Sequence, residues 1–428
     1  MSEDDYYDAL RALAQPIRAG DYPRTLRPMR QLLAELGNPQ RRFPAVVVAG
    51  SVGKGTTCHH IARLLRAADL HVGLYTSPHL HSFRERFVLN GKMISKETFV
   101  EGARMVREAA RRFDHVYSMF EQATALALWW YAQQRVDIAV LEIGLGGRWD
   151  AVNAVPNTLA VFTPIETEHL DMLGGSLQSI IWQKAGIIQP RGQAITGRQS
   201  GDVYAILQHE ADSRQATLHR VDAGEHAGQE EAAGLLAFGA YRNLAARGIV
   251  PQRMPRLDAT FAGLPGRLER VQVAGRTVLL DGAHTPGGAW TLRLAIHGLL
   301  GRSRPVRLIV GMLQDKHARK FLAAFDAPNY HIVLTQAPSH RALSAEQLRR
   351  QTELRHAEVE LIPNLHEALS GVYGASEALV VVTGSLRMIA VARETYGLLS
   401  PDELAEARRT REIFEGPDYL ARLNASRN

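Results

Sequence analysis

The chain has 428 residues, 46% hydrophobic and 22% charged, with a formal net charge of +6, a composition suited to two or three globular domains. Its single cysteine, Cys58, excludes a disulfide framework or a cysteine-based metal centre within one chain, and no apolar run approaches the roughly 20 residues of a membrane span. The basicity is Arg-rich, spread along the chain and free of interleaved aromatics, which argues against a nucleic-acid partner and leaves room for a basic pocket that takes a polyanion.

The acidic start, MSEDDYYDAL, lacks the apolar stretch of a signal peptide, so the expected compartment is the cytoplasm. Residues 1–43 read as helical, with Leu26, Met29, Leu32, Leu33 and Leu36 at helical spacing and Gly37-Asn38-Pro39 as the stop. Strands are then expected at 45–49, 72–75, 137–142, 158–163 and 193–196. Helices are expected at 56–68, 96–112, 120–134, 176–185, 202–214 and 232–247. Continuous apolar strands separated by helices imply a parallel sheet covered on both faces. The segment 216–258 is weaker in pattern, and Pro251 to Pro255 looks like a linker. A second series follows, with strands near 268–273, 277–281, 306–311, 331–335 and 378–383, and a helical tail over 401–428. The expected fold is α/β: an N-terminal P-loop-type, mostly parallel sheet domain flanked by helices over 1–256, and a smaller C-terminal Rossmann-like α/β domain over 257–428.

The strongest motif is AVVVAGSVGKGTT, Ala45 to Thr57, in which an apolar strand meets Gly50, Ser51, Gly53, Lys54, Gly55, Thr56 and Thr57 at a helix start. Backbone N–H groups pointing inward and the helix dipole favour a phosphate; Lys54 reaches its outer oxygens and Thr56 can hold Mg²⁺. Only two residues separate Gly50 from Gly53, and a glycine follows the lysine, unlike the usual phosphate-loop spacing.

Ser77, in Tyr75-Thr76-Ser77-Pro78-His79, follows a strand and can offer a hydroxyl to a metal, or simply form a Ser-Pro turn. Glu142 ends an apolar strand before Gly144-Leu145-Gly146-Gly147, where a carboxylate needs a cation, either Mg²⁺ or a salt-bridge partner. His169, in Glu166-Thr167-Glu168-His169, can ligate a metal or bind phosphate. Lys184 stands at an apolar helix end in a lysine-poor chain; its plainer role is C-capping before Gly186. In the second series, Leu264-Pro265-Gly266-Arg267, Asp281-Gly282-Ala283-His284-Thr285, Gly311 to Lys316 and Thr383 to Leu386 place polar groups at one sheet edge.

In order along residues 20–400, these motifs, with RERFVLNGKMIS, MFEQAT, LEIGLGGRWDAVN, EHLDMLG, QKAGIIQP and LPGRLERV, resemble the folylpolyglutamate synthase and dihydrofolate synthase family, a branch of the Mur-ligase-like ATP-dependent amide ligases. The resemblance implies a monomeric two-domain enzyme with ATP between its domains, acting on folate precursors. It also implies that Lys54 binds the ATP phosphates, that Ser77, Glu142 and His169 hold two Mg²⁺ ions, and that Lys184 is carbamylated and helps bind a metal. Arg267, Asp281 and His284 match nucleotide-contacting positions. ATP would phosphorylate a pterin or folate carboxylate, and the amine of L-glutamate would attack the acyl phosphate inside a closed site, closure being served by a mobile link near 250–258.

Val52, Glu168 and Thr285 depart from the Asn, Asp and Asn usual in that family. Two other readings stay open from the residues alone: a divergent Mur-like ligase joining another amino acid to another acid, and a non-catalytic nucleotide- or folate-binding relative.

Overall fold

The computed structural model describes residues 3–14, 24–167, 170–221, 224, 228–256 and 263–416. The chain divides into two compact units: residues 1–79 with 83–259, and residues 80–82 with 260–428.

The first unit is built on an eight-stranded sheet. Its strands are β1 (Ala45–Ala49), β2 (Val72–Tyr75), β3 (Phe87–Leu89), β4 (Lys92–Met93), β5 (Ile138–Glu142), β6 (Leu159–Phe162), β7 (Gln193–Thr196) and β8 (Thr217–Arg220), in the order β4-β3-β2-β5-β1-β6-β7-β8. From β2 to β8 every pairing is parallel. The two central strands, AVVVA and IAVLE, are buried at every position, the pattern of a sheet covered on both faces. One covering layer is the helix Lys54–Ala67, which packs Ile61, Leu64 and Leu65 with Leu236, Tyr241 and Leu244 of the helix Gln229–Ala246.

The central elements lie within a residue or three of expectation, and the departures sit at the sheet margins. β3 and β4 form an antiparallel hairpin closed by Asn90 and Gly91, both at positive φ (49° and 82°). Asn-Gly is a strong hairpin signal, but strands of three and two residues are too short for a periodic pattern to flag them. β8 buries only Leu218, so its sequence reads as polar. The expected N-terminal helical segment contains the helices Glu3–Leu13 and Arg27–Glu35. The linker near 251–255 is irregular, and Tyr241 Oη donates its proton between Pro251 O (2.9 Å) and Arg253 O (3.2 Å).

The second unit holds a six-stranded sheet of β9 (Glu269–Val273), β10 (Arg276–Leu280), β11 (Val306–Val310), β12 (Tyr330–Leu334), β13 (Glu358–Leu361) and β14 (Leu379–Thr383), in the order β13-β12-β11-β14-β10-β9. Only β9 runs antiparallel, paired with β10. The half-exposed edge strand β13 again escapes pattern reading. The last helix, Pro401–Glu415, starts with a Ser400/Glu403 capping box and ends at Gly416 (φ 80°); the rest of the expected tail lies outside the described residues.

Residues 80–82 join this unit through their side chains. Leu80 packs on the cluster around Ile389, His81 Nε2 accepts from Arg393 Nε at 3.1 Å, and Ser82 Oγ donates to Glu406. Burial first, then the cations Arg393 and Arg411, outweigh Glu403 and hold His81 down to about 3, so it stays neutral in the fold. An unfolded histidine titrates near 6.5. The stability this buried neutral ring contributes is therefore complete above that pH and lost as pH falls toward 3. Urea unfolding at about pH 7 and about pH 5 checks this: His81→Gln should remove up to about 1.4 kcal/mol per pH unit of the acid-side loss.

Candidate active site: a phosphate loop, a buried carboxylate and two lysines

β1 hands its chain to Gly50, whose φ of 147° puts a hypothetical Cβ 1.9 Å from Thr163 Oγ1. No side chain fits there. Gly53 (φ 81°) then starts the helix Lys54–Ala67. Between them, Ser51 N (2.8 Å) and Val52 N (3.3 Å) both donate to Pro164 O. Ser51 Oγ donates to Glu166 O at 3.2 Å and accepts from Glu166 N at 3.0 Å. The expectation that the loop amides point inward is thus corrected for these two: they strap the loop to the segment after β6. Anion donors are left to Lys54, Gly55 and Thr56, whose first-turn N–H groups have no intrahelical acceptor and sit at the positive end of the dipole.

Two lysines converge on one backbone oxygen of this loop. Lys54 Nζ donates to Gly50 O at 3.1 Å, and Lys184 Nζ, from the helix Leu177–Ala185, donates to the same oxygen at 2.7 Å. Lys184 is 2% exposed. It does not cap its own helix; the N–H of Gly186 does that, on Gln183 O and Lys184 O.

Glu142, at the C-terminal end of β5, is 3% exposed, and its Oε2 accepts from Ser77 N at 2.8 Å. A Cβ on Gly55 would lie 3.5 Å from the same oxygen, so the first turn of the helix runs directly past this carboxylate. Thr56 and Thr57 are buried in that turn. Burial, and next the charge of Glu142, raise the Cys58 thiol well above its ordinary value, so Cys58 is an inert core residue here. Glu142, Ser77, Thr56, Lys54 and Lys184 therefore surround the strand ends of β1, β2 and β5.

The glycine-rich loop after β5 approaches protein. A Cβ on Gly147 would meet Gln183 O at 2.7 Å and Lys184 O at 2.9 Å, and one on Gly144 would meet the Phe120 ring at 2.5 Å. Arg148 N donates to Gln183 O at 2.6 Å, and Asn153 Nδ2 to Gly186 O at 3.2 Å. The loop thus grips the helix end that carries Lys184. Asp150 shapes it, accepting from the N–H groups of Gly144 (3.1 Å), Leu145 (3.0 Å) and Val152 (2.9 Å). Burial pushes Asp150 up to about 7, with those three donors pulling the other way.

In the second unit, Asp281 ends the β10 run and accepts from Leu268 N and Ala283 N, each at 2.9 Å. Burial raises its carboxyl, and nearby Arg267 lowers it. His284 Nδ1 lies 2.9 Å from Gly282 O, so that nitrogen carries the proton. Thr285 Oγ1 caps the helix Pro286–Leu300 by accepting from Gly288 N at 3.1 Å. Gly311 and Gly384 lie against each other beyond β11 and β14: a Cβ on Gly384 would meet Gly311 O at 2.5 Å. These loops share the C-terminal ends of neighbouring parallel strands, where open α/β sheets bind ligands.

Glu168 and His169 lie outside the described residues. Among the described residues, no three His, Cys, Asp or Glu side chains group to hold a metal. Sequence reasoning missed Gln229, whose Nε2 would lie 3.4 Å from a Cβ on Gly53; it stands in the weakly patterned segment and gave no signal. It also missed Arg86, buried with its Nε donating to His79 Nδ1 at 3.1 Å, although His79 belongs to the singled-out Ser-Pro-His turn.

A steric prediction follows from the loop. Gly50→Ala should cost more than about 2 kcal/mol in chemical unfolding, whereas Gly234→Ala, in open space within the helix Gln229–Ala246, should gain about 0.5–1 kcal/mol. Equal effects at the two positions would contradict the close approach to Thr163.

The sequence matches the Mur ligase middle domain over residues 48–234 and the Mur ligase glutamate ligase domain over residues 266–386. It is 31% identical to the dihydrofolate synthase/folylpolyglutamate synthase of Mycobacterium tuberculosis, over 86% of this chain and 88% of that one. Among solved structures, Escherichia coli FolC in complex with DHPP and ADP superposes with a TM-score of 0.79 at 28% identity, covering 92% of this chain and 98% of that one. The bifunctional folylpolyglutamate synthase/dihydrofolate synthase of Yersinia pestis, complexed with AMPPNP and a Mn ion, gives 0.76 at 28% identity, covering 91% and 97%. With its phosphate loop followed by a separate glutamate-ligase-type unit, the chain belongs to the dihydrofolate synthase/folylpolyglutamate synthase family of Mur-type ligases.

Proposed function

We propose that this protein is an ATP-dependent ligase that joins L-glutamate to dihydropteroate, to a tetrahydrofolate, or to both. The observation that carries the reading is the convergence of Lys54 and Lys184 on Gly50 O, beside the buried carboxylate of Glu142. Two ammonium groups held on one carbonyl repel each other; the Glu142 carboxylate beside them offsets part of this, and a polyanion, or a change of charge on one of them, would offset it further. A triphosphate supplies the first. Carbamylation of Lys184, in which its neutral Nζ adds to CO₂ and releases a proton, supplies the second by turning a cation into an anion.

The donor set suits Mg²⁺: the Glu142 carboxylate and the Thr56 and Ser77 hydroxyls are hard oxygen ligands, completed by phosphate oxygens and water. We assign His169 and a carbamylated Lys184 to a second ion. Bound Mg²⁺ would neutralise the phosphate charge that builds during transfer. The chain's own groups do the rest. Lys54 and the first-turn N–H groups hold the outer phosphates in line with the acceptor carboxylate. That carboxylate oxygen attacks the γ-phosphorus, the bond to the β–γ bridging oxygen breaks, and ADP leaves. The amine of L-glutamate then attacks the acyl carbon, phosphate departs with the C–O electron pair, and the nitrogen gives up a proton to leave the amide. Arg267, Asp281 and His284 are assigned to the nucleotide. No helix among the described residues is long and apolar enough to cross a membrane.

Phosphate release with ATP, Mg²⁺ and L-glutamate tests the reading, with dihydropteroate and then tetrahydrofolate as acceptor. Release that requires a pterin acid, with a product one glutamate heavier, is the expected result; release with neither acceptor in an ATP-binding protein would overturn it. Lys54→Ala should lower turnover about 10³-fold or more. Glu142→Gln should raise the Mg²⁺ concentration needed for half-maximal rate, and an unchanged requirement would remove Glu142 from the metal site. Intact-mass and bicarbonate-dependence measurements check Lys184: a bare amine at full activity, indifferent to bicarbonate, rules out its carbamylation.

A further inference from the structure

The phosphate loop follows β1; a separate cleft of about 560 Å³ lies at the other end of the same sheet, among segments that precede β1, β6 and β7. Its walls include Arg30, Asn38, Gln40, Arg41, Asn153 and Gln189, and none of its lining residues is acidic. Arg30 and Arg41 are exposed, and among the described residues neither has an ion-pair partner.

Two amides in the lining are nearly closed off from water: Gln40 is 4% exposed and Asn153 8%. Gln40 Nε2 donates to Asn38 Oδ1 at 3.2 Å. Asn153 Nδ2 donates to Arg148 O at 3.0 Å and to Gly186 O at 3.2 Å. Those partners orient both amides and leave Gln40 Oε1 and Asn153 Oδ1 buried with no donor. Buried carbonyl oxygens without a donor are uncommon in native proteins, and these two stand in the wall of a basic cleft, where a ligand or ordered water can reach them.

We infer that this cleft is a second small-molecule site, for an anion that also carries N–H or O–H donors. The guanidinium groups would take its negative charge, and the donors would serve the two amide oxygens after small side-chain rotations. An α-amino acid offers carboxylate and ammonium; a phosphate monoanion offers oxygens and a hydroxyl. Occupancy would be felt at the catalytic lysine, because the amide of Asn153 also holds Gly186, two residues beyond Lys184.

Calorimetric titration of the full chain with glycine, and separately with inorganic phosphate, tests this and tells the two sources apart. The expected result is saturable one-site binding of one probe, weakened about tenfold or more by the double variant Arg30→Ala/Arg41→Ala and unchanged in Lys54→Ala. Both arginines are exposed, so the double variant should fold normally. Binding that survives the double variant, or that is lost in Lys54→Ala alone, would place the probe at the phosphate loop and overturn the inference. No saturable binding of either probe would overturn it too, leaving the two carbonyls to ordered water.

Discussion

The site depends on one residue without a side chain. Gly50 sits where the buried strand β1 must turn into the glycine-rich loop before the helix Lys54–Ala67, and the space a Cβ would fill is already taken by Thr163. That close approach lets the loop lean on the segment after β6, and it turns the Gly50 carbonyl to where two lysines, 130 residues apart in sequence, can both reach it. A side chain at this position would disturb the strap, the carbonyl and both lysines together. The first helical turn, with N–H groups that lack an intrahelical acceptor, then has a defined direction, the arrangement by which helix N-termini hold anions.

A second backbone contact places Lys184. Long lysine side chains are flexible, and fixing one in a core costs conformational entropy as well as desolvation. Here the end of its helix is clamped from outside: Gly147 lies flat against it, Arg148 and Asn153 hydrogen-bond its last carbonyls, and Asp150 holds the clamp's own shape through three N–H groups. The glycine-rich run after β5 is therefore a packing device that positions an amine.

The departures from the usual family residues have local explanations in the two places the structure describes. Val52 contributes its N–H to Pro164 O, a bond that any residue other than proline can make. Thr285 caps the helix after the Asp-Gly-Ala-His turn, its hydroxyl taking the capping role that an amide oxygen also fills.

Much of this was legible in the chain alone. The apolar strands, the glycines and hydroxyls after β1, the carboxylate ending β5 and the turn at Asp281 follow from periodicity and composition, because a strand buried on both faces must be apolar throughout and a polar group at its end must have a reason. Edge strands such as β8 and β13, half in water, carry no such pattern. Convergence was not legible in the residues themselves, and only the family resemblance implied that Ser77, Glu142 and Lys184 meet. That Lys184 reaches Gly50, that Gln229 comes beside Gly53, and that Ser77 N meets Glu142 are contacts across 134, 176 and 65 residues of sequence. The sequence by itself determined which groups could bind a phosphate and which segments would be strands. Only the tertiary structure decided which of those groups share one site, because close approach is set by the packing of strands and helices, and local pattern carries no information about it.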